Sequence, residues 1–403
     1  MRNTVDHSQA ATPSQRSGGE VKMILAGVFF GVIGGEAFIV QPGFVQGMTN
    51  YLGLTDQQAG YAASAEMFGF AVATISLIFL APRVNARAAV TVSLLLMVAG
   101  NVAALFASTF EPFSVSRFVA GLGGGSVVSF GFASLGMTSK PDRNFAYMVM
   151  SAMIFGAIIL YSMPTMYAQF GMPSVLILFS VCAGVGLLFV SGIPVSSRQQ
   201  AQVETDSVDL GWRLRIMALF AMLSYFLAQG GVWAYLALIG ESQEMSEQGV
   251  ADALTASQLS GLAGAFVVSV LGARFGRLAP LSVAAACGVA PLLWFVFGSS
   301  GAAPYLVAVL IYNFGFNMAH PYLLATMASF DRRGRVVVYA VAMQTLGLAI
   351  GPAIAARLVG DNGYENVNWF GIVFFCACIA LIAPPALAQA RLARSGEANV
   401  RRT

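Results

Sequence analysis

Glu36 (Gly34-Gly35-Glu36-Ala37-Phe38) and Glu66 (Ser64-Ala65-Glu66-Met67-Phe68) each lie inside a long apolar run. An ionisable side chain at membrane depth costs at least ~2.5 kcal/mol on insertion scales, so each one needs a reason. Burial and a like-charged neighbour both favour the protonated form of a carboxyl, as a group that loads and releases protons requires. Each glutamate stands ~10 residues from the outer end of its run, or about 15 Å at helical rise, which places the two at comparable depth. Arg117 is the third such group, in Ser116-Arg117-Phe118, shortly after Glu111. It can control the charge on Glu36 or bind a substrate anion. The structural alternatives are that one glutamate pairs with Arg117 or caps a helix broken at Gly34-Gly35. Arg117 can also snorkel to the outer interface, as long basic side chains do.

Asn313, Asn317 and His320 keep i, i+4, i+7 spacing and share one face of an otherwise apolar helix. A water-filled substrate cavity explains this stripe, and helix–helix hydrogen bonding is the alternative. His320, beside Pro321, is of a type suited to proton or anion sensing, although a satisfied buried histidine is an equally simple account. Tyr225, Gln229 and Trp233 stand at i, i+4, i+8, while Gln258 and Gln344 interrupt apolar runs. These five are further candidates to line a solute path. Aromatic side chains on membrane helices also serve as lipid or packing contacts.

Enzymatic chemistry is not legible. His320 is the only histidine beyond the polar N-terminal stretch, and no serine or cysteine nucleophile has a base within sequence reach. The phosphate-cradling Gly-x-x-x-x-Gly-Lys-Ser/Thr run is absent, which argues against ATP-driven transport. Cys182, Cys287, Cys376 and Cys378 fall in apolar runs without ligand-like spacing, so no metal site, disulfide or cofactor is expected. Gly121-Leu122-Gly123-Gly124-Gly125 follows no strand and lies within an apolar run, where close helix packing explains it better than phosphate binding.

The elements that must position these groups follow from composition. The 403 residues are 57% hydrophobic and only 10% charged, against roughly 25% charged in soluble domains. Apolar runs fall near 22–46, 57–80, 88–108, 113–136, 145–169 and 173–193, then near 212–239, 253–272, 279–298, 303–329, 336–358 and 367–389. Each is long enough to cross roughly 30 Å of hydrocarbon as a helix. The expected architecture is therefore an all-α integral membrane protein of about twelve transmembrane helices. Residues 1–21 are polar and read as a disordered cytoplasmic N-terminus, not a cleaved signal. Residues 390–403 read as a cytoplasmic tail.

Lys and Arg set the orientation. With both termini on one side, that side collects Lys22, Arg83, Arg87, Lys140, Arg143, Arg198, Arg213, Arg215, Arg274, Arg277, Arg332, Arg333, Arg335 and Arg391, besides those in the terminal stretches. The other side receives only Arg357, with Glu241, Glu244 and Glu247 as an acidic solvated loop. Both termini are thus expected in the cytoplasm, with no nucleic-acid-binding face. The near-exclusive use of arginine points to a bacterial source.

A polar linker at 194–211 divides the chain into six-span halves, 22–193 and 212–389. The halves echo each other: Arg83 matches Arg274, Gly124 matches Gly315, Gly156 matches Gly347, and Asp142-Arg143 answers Asp331-Arg332. Duplication of this kind builds a central site between two rocking halves.

These features resemble the major facilitator superfamily over residues 22–389. Ala81-Pro82-Arg83-Val84-Asn85-Ala86-Arg87 and its echo Gly272-Ala273-Arg274-Phe275-Gly276-Arg277-Leu278 sit where that family has Gly-x-x-x-Asp-Arg-x-Gly-Arg-Arg. Arg83, Arg87, Arg274 and Arg277 would then belong to gating loops, although both copies lack the family's aspartate. Arg117-Phe118-Val119-Ala120-Gly121-Leu122-Gly123 is similar to Arg-Phe-x-x-Gly-x-Gly, whose arginine is tied to proton coupling. Gly347-Leu348-Ala349-Ile350-Gly351-Pro352 resembles an exporter signature, but falls in the eleventh span and not the fifth, where the family carries it. The resemblance implies a monomeric, proton-coupled transporter of a small solute, an organic anion by the charge of Arg117 and His320. The rivals are a proton-antiport exporter of drugs or metabolites, a uniporter, and a membrane sensor that binds without transport.

Overall fold

A computed structural model describes residues 13–194, 209–272, 274–330, 335–360 and 363–400, with side-chain surroundings given within 19–392. The Asp331-Arg332 half of the matched pair, Arg333 and Arg198 lie outside the described residues. Among the described residues fourteen α-helices run in order: α1 (Pro13–Ile33), α2 (Glu36–Ile39), α3 (Gln41–Leu52), α4 (Asp56–Leu80), α5 (Ala86–Leu105), α6 (Phe110–Gly136), α7 (Pro141–Phe170), α8 (Pro173–Gly186), α9 (Trp212–Glu241), α10 (Glu247–Leu271), α11 (Leu278–Phe297), α12 (Ala302–Ala328), α13 (Arg335–Leu358) and α14 (Glu365–Val400). No β-strand occurs among the described residues beyond one isolated bridge, Gly360 with Gly363.

Among the described residues, eleven segments are long and apolar enough to cross a membrane. The first of the twelve expected spans is different, because its path is broken into α1, α2 and α3. The break at Gly34-Gly35 follows from glycine's weak helix propensity. A second cause is Pro42: it has no N–H to give the carbonyl four residues back, Phe38, and so leaves that oxygen without its helical donor. At both ends the helices run beyond the apolar stretches. The first helix begins at Pro13, within the stretch expected to be disordered, and proline is a favourable first-turn residue. The last helix likewise continues past 389 to Val400.

Helix starts are written in the sequence. Thr55 and Gln58 form a reciprocal capping box on α4, Asn85 caps α5, and Ser246 caps α10. Glycines then set how closely the helices approach. A Cβ on Gly121 would strike the Glu66 carbonyl oxygen of α4, and one on Gly124 the Gly34 carbonyl oxygen. Gly123 and Gly125 meet the Ser93 and Phe70 carbonyls in the same way. The glycine run in α6 is thus a packing seam against three neighbours. Gly347 and Gly351 do the same for α13, against Phe226 and Leu227 of α9.

The first six spans and the last six form two pseudo-symmetric bundles. Across the boundary α4 packs on α13, α7 on α10, and α3 on α9. Spans two and eleven, five and eight, and one and seven are therefore partners.

Candidate functional site

The seam between α4 and α6 carries the charged residues. Arg117 enters two turns into α6 and is 1% exposed, so it does not snorkel to the interface. Its Nη2 donates to Glu66 Oε1 at 2.5 Å and its Nε to Glu66 Oε2 at 3.1 Å, a bidentate fork. The remaining arm, Nη1, donates to Asn101 Oδ1 of α5 at 2.7 Å. The guanidinium lies 5.2 Å from the centroid of the Phe44 ring of α3. Asn101 was missed in the sequence reading; a lone asparagine in an apolar span was the available signal.

Glu36, at the start of α2, is 3% exposed, and its Oε2 has no hydrogen-bond partner. It shares a small void of about 10 Å³ with Glu66, Asn101 and Arg117, walled by Gly34 and Gly121. That space matches about one water molecule. The structure therefore brings together all three charged residues singled out in the sequence. The pairing of Glu66 with Arg117 fits the structural alternative, while Glu36 is left as the unmatched group.

A second cluster forms where the halves meet. The Phe38 carbonyl, which accepts a backbone N–H at the end of α2, also accepts from Trp233 Nε1 of α9 at 2.8 Å. Gln258 Nε2 of α10 lies 3.5 Å from the Ile39 carbonyl oxygen, at the limit of a hydrogen bond. Below Trp233, the Phe316 and His320 rings run nearly parallel, 16° apart with centroids at 6.0 Å. Phe226 stands edge-on to both, and Phe38 closes on Phe316 from the first half. His320 Nε2 meets Gln344 Oε1 of α13 at 3.2 Å. This aromatic wall was not foreseen: Phe38, Phe226 and Phe316 are common in apolar spans and carry no signature in sequence.

The polar stripe on α12 is only partly at this junction. Asn313 donates to Ser257 and Gln258 of α10 at 3.2 and 3.3 Å, and Asn317 donates back to Asn313 at 2.9 Å. In this conformation the stripe makes helix–helix hydrogen bonds and not an open cavity wall. Gln229 is buried with its Oε1 unpartnered. Tyr225 points into the second half, against Phe226 and Phe375.

At the end bearing the termini, the loop arginines bond within their own halves. Arg87 holds the Ser191 and Ile193 carbonyls at the end of the sixth span, and Arg83 holds the Phe79 carbonyl. Arg277 donates to the Ala325 carbonyl at 2.5 Å, and Arg274 stands exposed. Arg83, Arg87 and Arg277 thus each bond main-chain carbonyls of their own half. The opposite end is tied across the halves. Tyr235 and Tyr364 donate to Asp56 at 2.9 and 2.6 Å, Arg357 to Tyr61 at 3.3 Å, and Ser64 to the Ala349 carbonyl at 2.6 Å. Burial, followed by the bond to Asp56, pushes the Tyr364 phenol well above its ordinary range, so it stays a donor.

Comparison with known proteins agrees with this architecture. The profile of the Major Facilitator Superfamily matches residues 25–330. A gentisate transporter of Corynebacterium glutamicum is 25% identical over 390 residues, covering 91% of this chain and 87% of that one. A point mutant of the nucleoside transporter NupG superposes with a TM-score of 0.71 at 12% identity, covering 92% of this chain and 99% of its own. A D-xylose-proton symporter gives a TM-score of 0.69 at 15% identity, covering 89% and 96%. With its two six-span bundles and central junction, the chain belongs to the Major Facilitator Superfamily and is a membrane transporter of small solutes.

Proposed function

We propose that this protein is a proton-coupled transporter of a small organic anion carrying an aromatic ring. Its halves, 22–193 and 212–389, rock about the central junction. The observation that carries the reading is Glu36. Glu66 and Arg117 already neutralise each other, so an ionised Glu36 would stand as an uncompensated charge in a buried, nearly dry space. Protonation removes that cost and permits the halves to close over it; access to water on one side lets the proton leave. Charge on Glu36 thereby decides which conformations are accessible.

The junction supports the substrate class. Phe38, Phe226, Phe316 and His320 offer ring faces and edges suited to a planar ring. His320, Gln344 and Gln229 supply polar atoms for its substituents. Gentisate, named for the C. glutamicum relative, is an aromatic carboxylate. The exporter-like Gly347-Gly351-Pro352 run is accounted for by the packing of α13 on α9.

The basic residues at the terminus-bearing end, among them Lys22, Arg83, Arg87, Lys140, Arg143, Arg274 and Arg277, support a topology with both termini in the cytoplasm of a bacterium. The structure is then the form sealed on the outer side, in a protein that works as a monomer.

A thermal-shift screen of wild type and Glu36→Gln in detergent, at two pH values, tests the reading. The panel holds hydroxybenzoates, aliphatic acids, sugars and lipophilic cations, since a ligand selective for the folded state raises the midpoint. Stabilisation by aromatic acids, stronger at low pH and pH-independent in the variant, is the expected result. Stabilisation by lipophilic cations, lost on neutralising Glu36, would put the proton-antiport exporter first.

A further inference from the structure

The acidic turn after α9, expected to be a solvated loop, is part of the joint between the halves. Asn50 Nδ2 donates to Glu241 Oε1 at 2.8 Å and to Glu247 Oε1 at 2.9 Å. One carboxamide of α3 therefore sits between two carboxylates of the other half. Gln46, one turn earlier on the same face, donates to Glu241 Oε1 at 2.8 Å, and the Tyr51 hydroxyl donates to Glu247 Oε2 at 2.8 Å. Glu244, between them, takes a left-handed φ of 61°, which turns the chain so that Glu241 and Glu247 converge.

In these four bonds the polarity runs one way: every donor comes from α3 of the first half and every acceptor is Glu241 or Glu247 of the second. Two like charges are brought together, and the amides and phenol of α3 hold them there. The other titratable groups around the turn are Asp56, Tyr167, Tyr305 and Tyr364, from α4, α7, α12 and the segment before α14. No ion pair to Glu241 or Glu247 occurs among the described residues.

We infer that Asn50 is a gating residue of the transport cycle: its carboxamide, bridging Glu241 and Glu247, holds the outer mouth shut, and exposing the central junction to the outside requires these bonds to part. The sidedness of this mouth rests on the topology proposed above; the bridge itself does not. Gln46 and Tyr51 reinforce the closed form without standing between the two charges.

Asn50→Asp provides the sharpest test, because it is isosteric and replaces the bridging donor with a third carboxylate. The triple variant N50D/E241Q/E247Q reverses the polarity, with amides on the second half donating to one carboxylate on the first. Spin labels at S108C and S300C, both exposed loop positions of opposite halves, report the mouth by pulsed EPR. The full chain is used in nanodiscs with its four cysteines replaced. N50D is expected to move the closed-to-open ratio at least about tenfold toward the longer distance at pH 7.5. Acidification should return it, since protonated carboxyls no longer repel, and the triple variant should be closed at pH 7.5. A wild-type distance in N50D, or a triple variant as open as N50D, would overturn the inference. If N50D does not yield folded protein, Asn50→Ala removes the bridging donor and is read by the same distances. Labelling of S108C in intact cells by an impermeant maleimide tests the orientation separately: its failure would reverse the sidedness and leave the distance result standing.

Discussion

Glu66 and Arg117 neutralise each other through a two-pronged contact, and Asn101 takes the guanidinium arm that Glu66 leaves. Breaking such a buried pair from one side leaves a bare charge and costs about 3–5 kcal/mol, whereas apolar replacement of both members can be nearly neutral. Arg117→Met should therefore lower the unfolding midpoint of the detergent-purified protein sharply, and Glu66→Met added to it should recover most of the loss. A double variant no more stable than the single one would show that the pair is not the source of the effect. Lysine at 117 cannot reproduce three directed bonds and should behave closer to methionine than to arginine. Much of this site was legible in sequence, because charges in apolar runs stand out: Glu36, Glu66 and Arg117 line one void. Which glutamate the arginine would take was not, since Glu36 and Glu66 stand at similar depth and only the crossing of α4 with α6 decides it.

Among the elements, the first span and the glycine seam govern the geometry. Pro42 cannot give the Phe38 carbonyl its α-helical donor; a backbone N–H at the end of α2 and Trp233 of the opposite half both bond it instead. Irregular backbone is tolerated at membrane depth when buried in protein, and here it becomes a contact between halves. The seam makes a quantitative prediction. Gly121→Ala would drive a methyl into the Glu66 carbonyl, forcing α4 and α6 apart at an expected cost of about 1–3 kcal/mol. Gly136→Ala, with nothing within 4 Å of the added carbon, should be neutral or stabilising by up to about 1 kcal/mol. Thermal unfolding of the two variants side by side would contradict the packing account if Gly121→Ala were the milder. The spans themselves were readable from apolar length, but their ends were not: α1 starts well before the hydrophobic run because a polar sequence can continue a helix begun at Pro13. The Asn50 bridge joins residues 191 and 197 apart, a proximity that no local pattern encodes, so Glu241 and Glu247 looked like loop charges.

At the scale of the molecule, the duplication seen in sequence becomes the pairing of α4 with α13, α7 with α10 and α3 with α9. Hydrogen bonds seal one end of that interface, while the loop arginines at the other brace each half internally. In the proposed cycle the halves rock when the bonds at that end part and the buried charge is neutralised, tasks assigned to Asn50 and Glu36. The central claim is that Glu36 couples solute to protons, and proteoliposomes test it directly. Labelled hydroxybenzoate uptake is measured against a one-unit pH gradient, alkaline inside, with protein-free vesicles subtracted. One proton per anion supports about tenfold accumulation, since a pH unit is worth about 1.4 kcal/mol. Wild type should approach that ratio, and Glu36→Gln should exchange solute across the membrane without accumulating it. Equal accumulation by the variant, or wild-type uptake that stops at equilibration, would contradict the account.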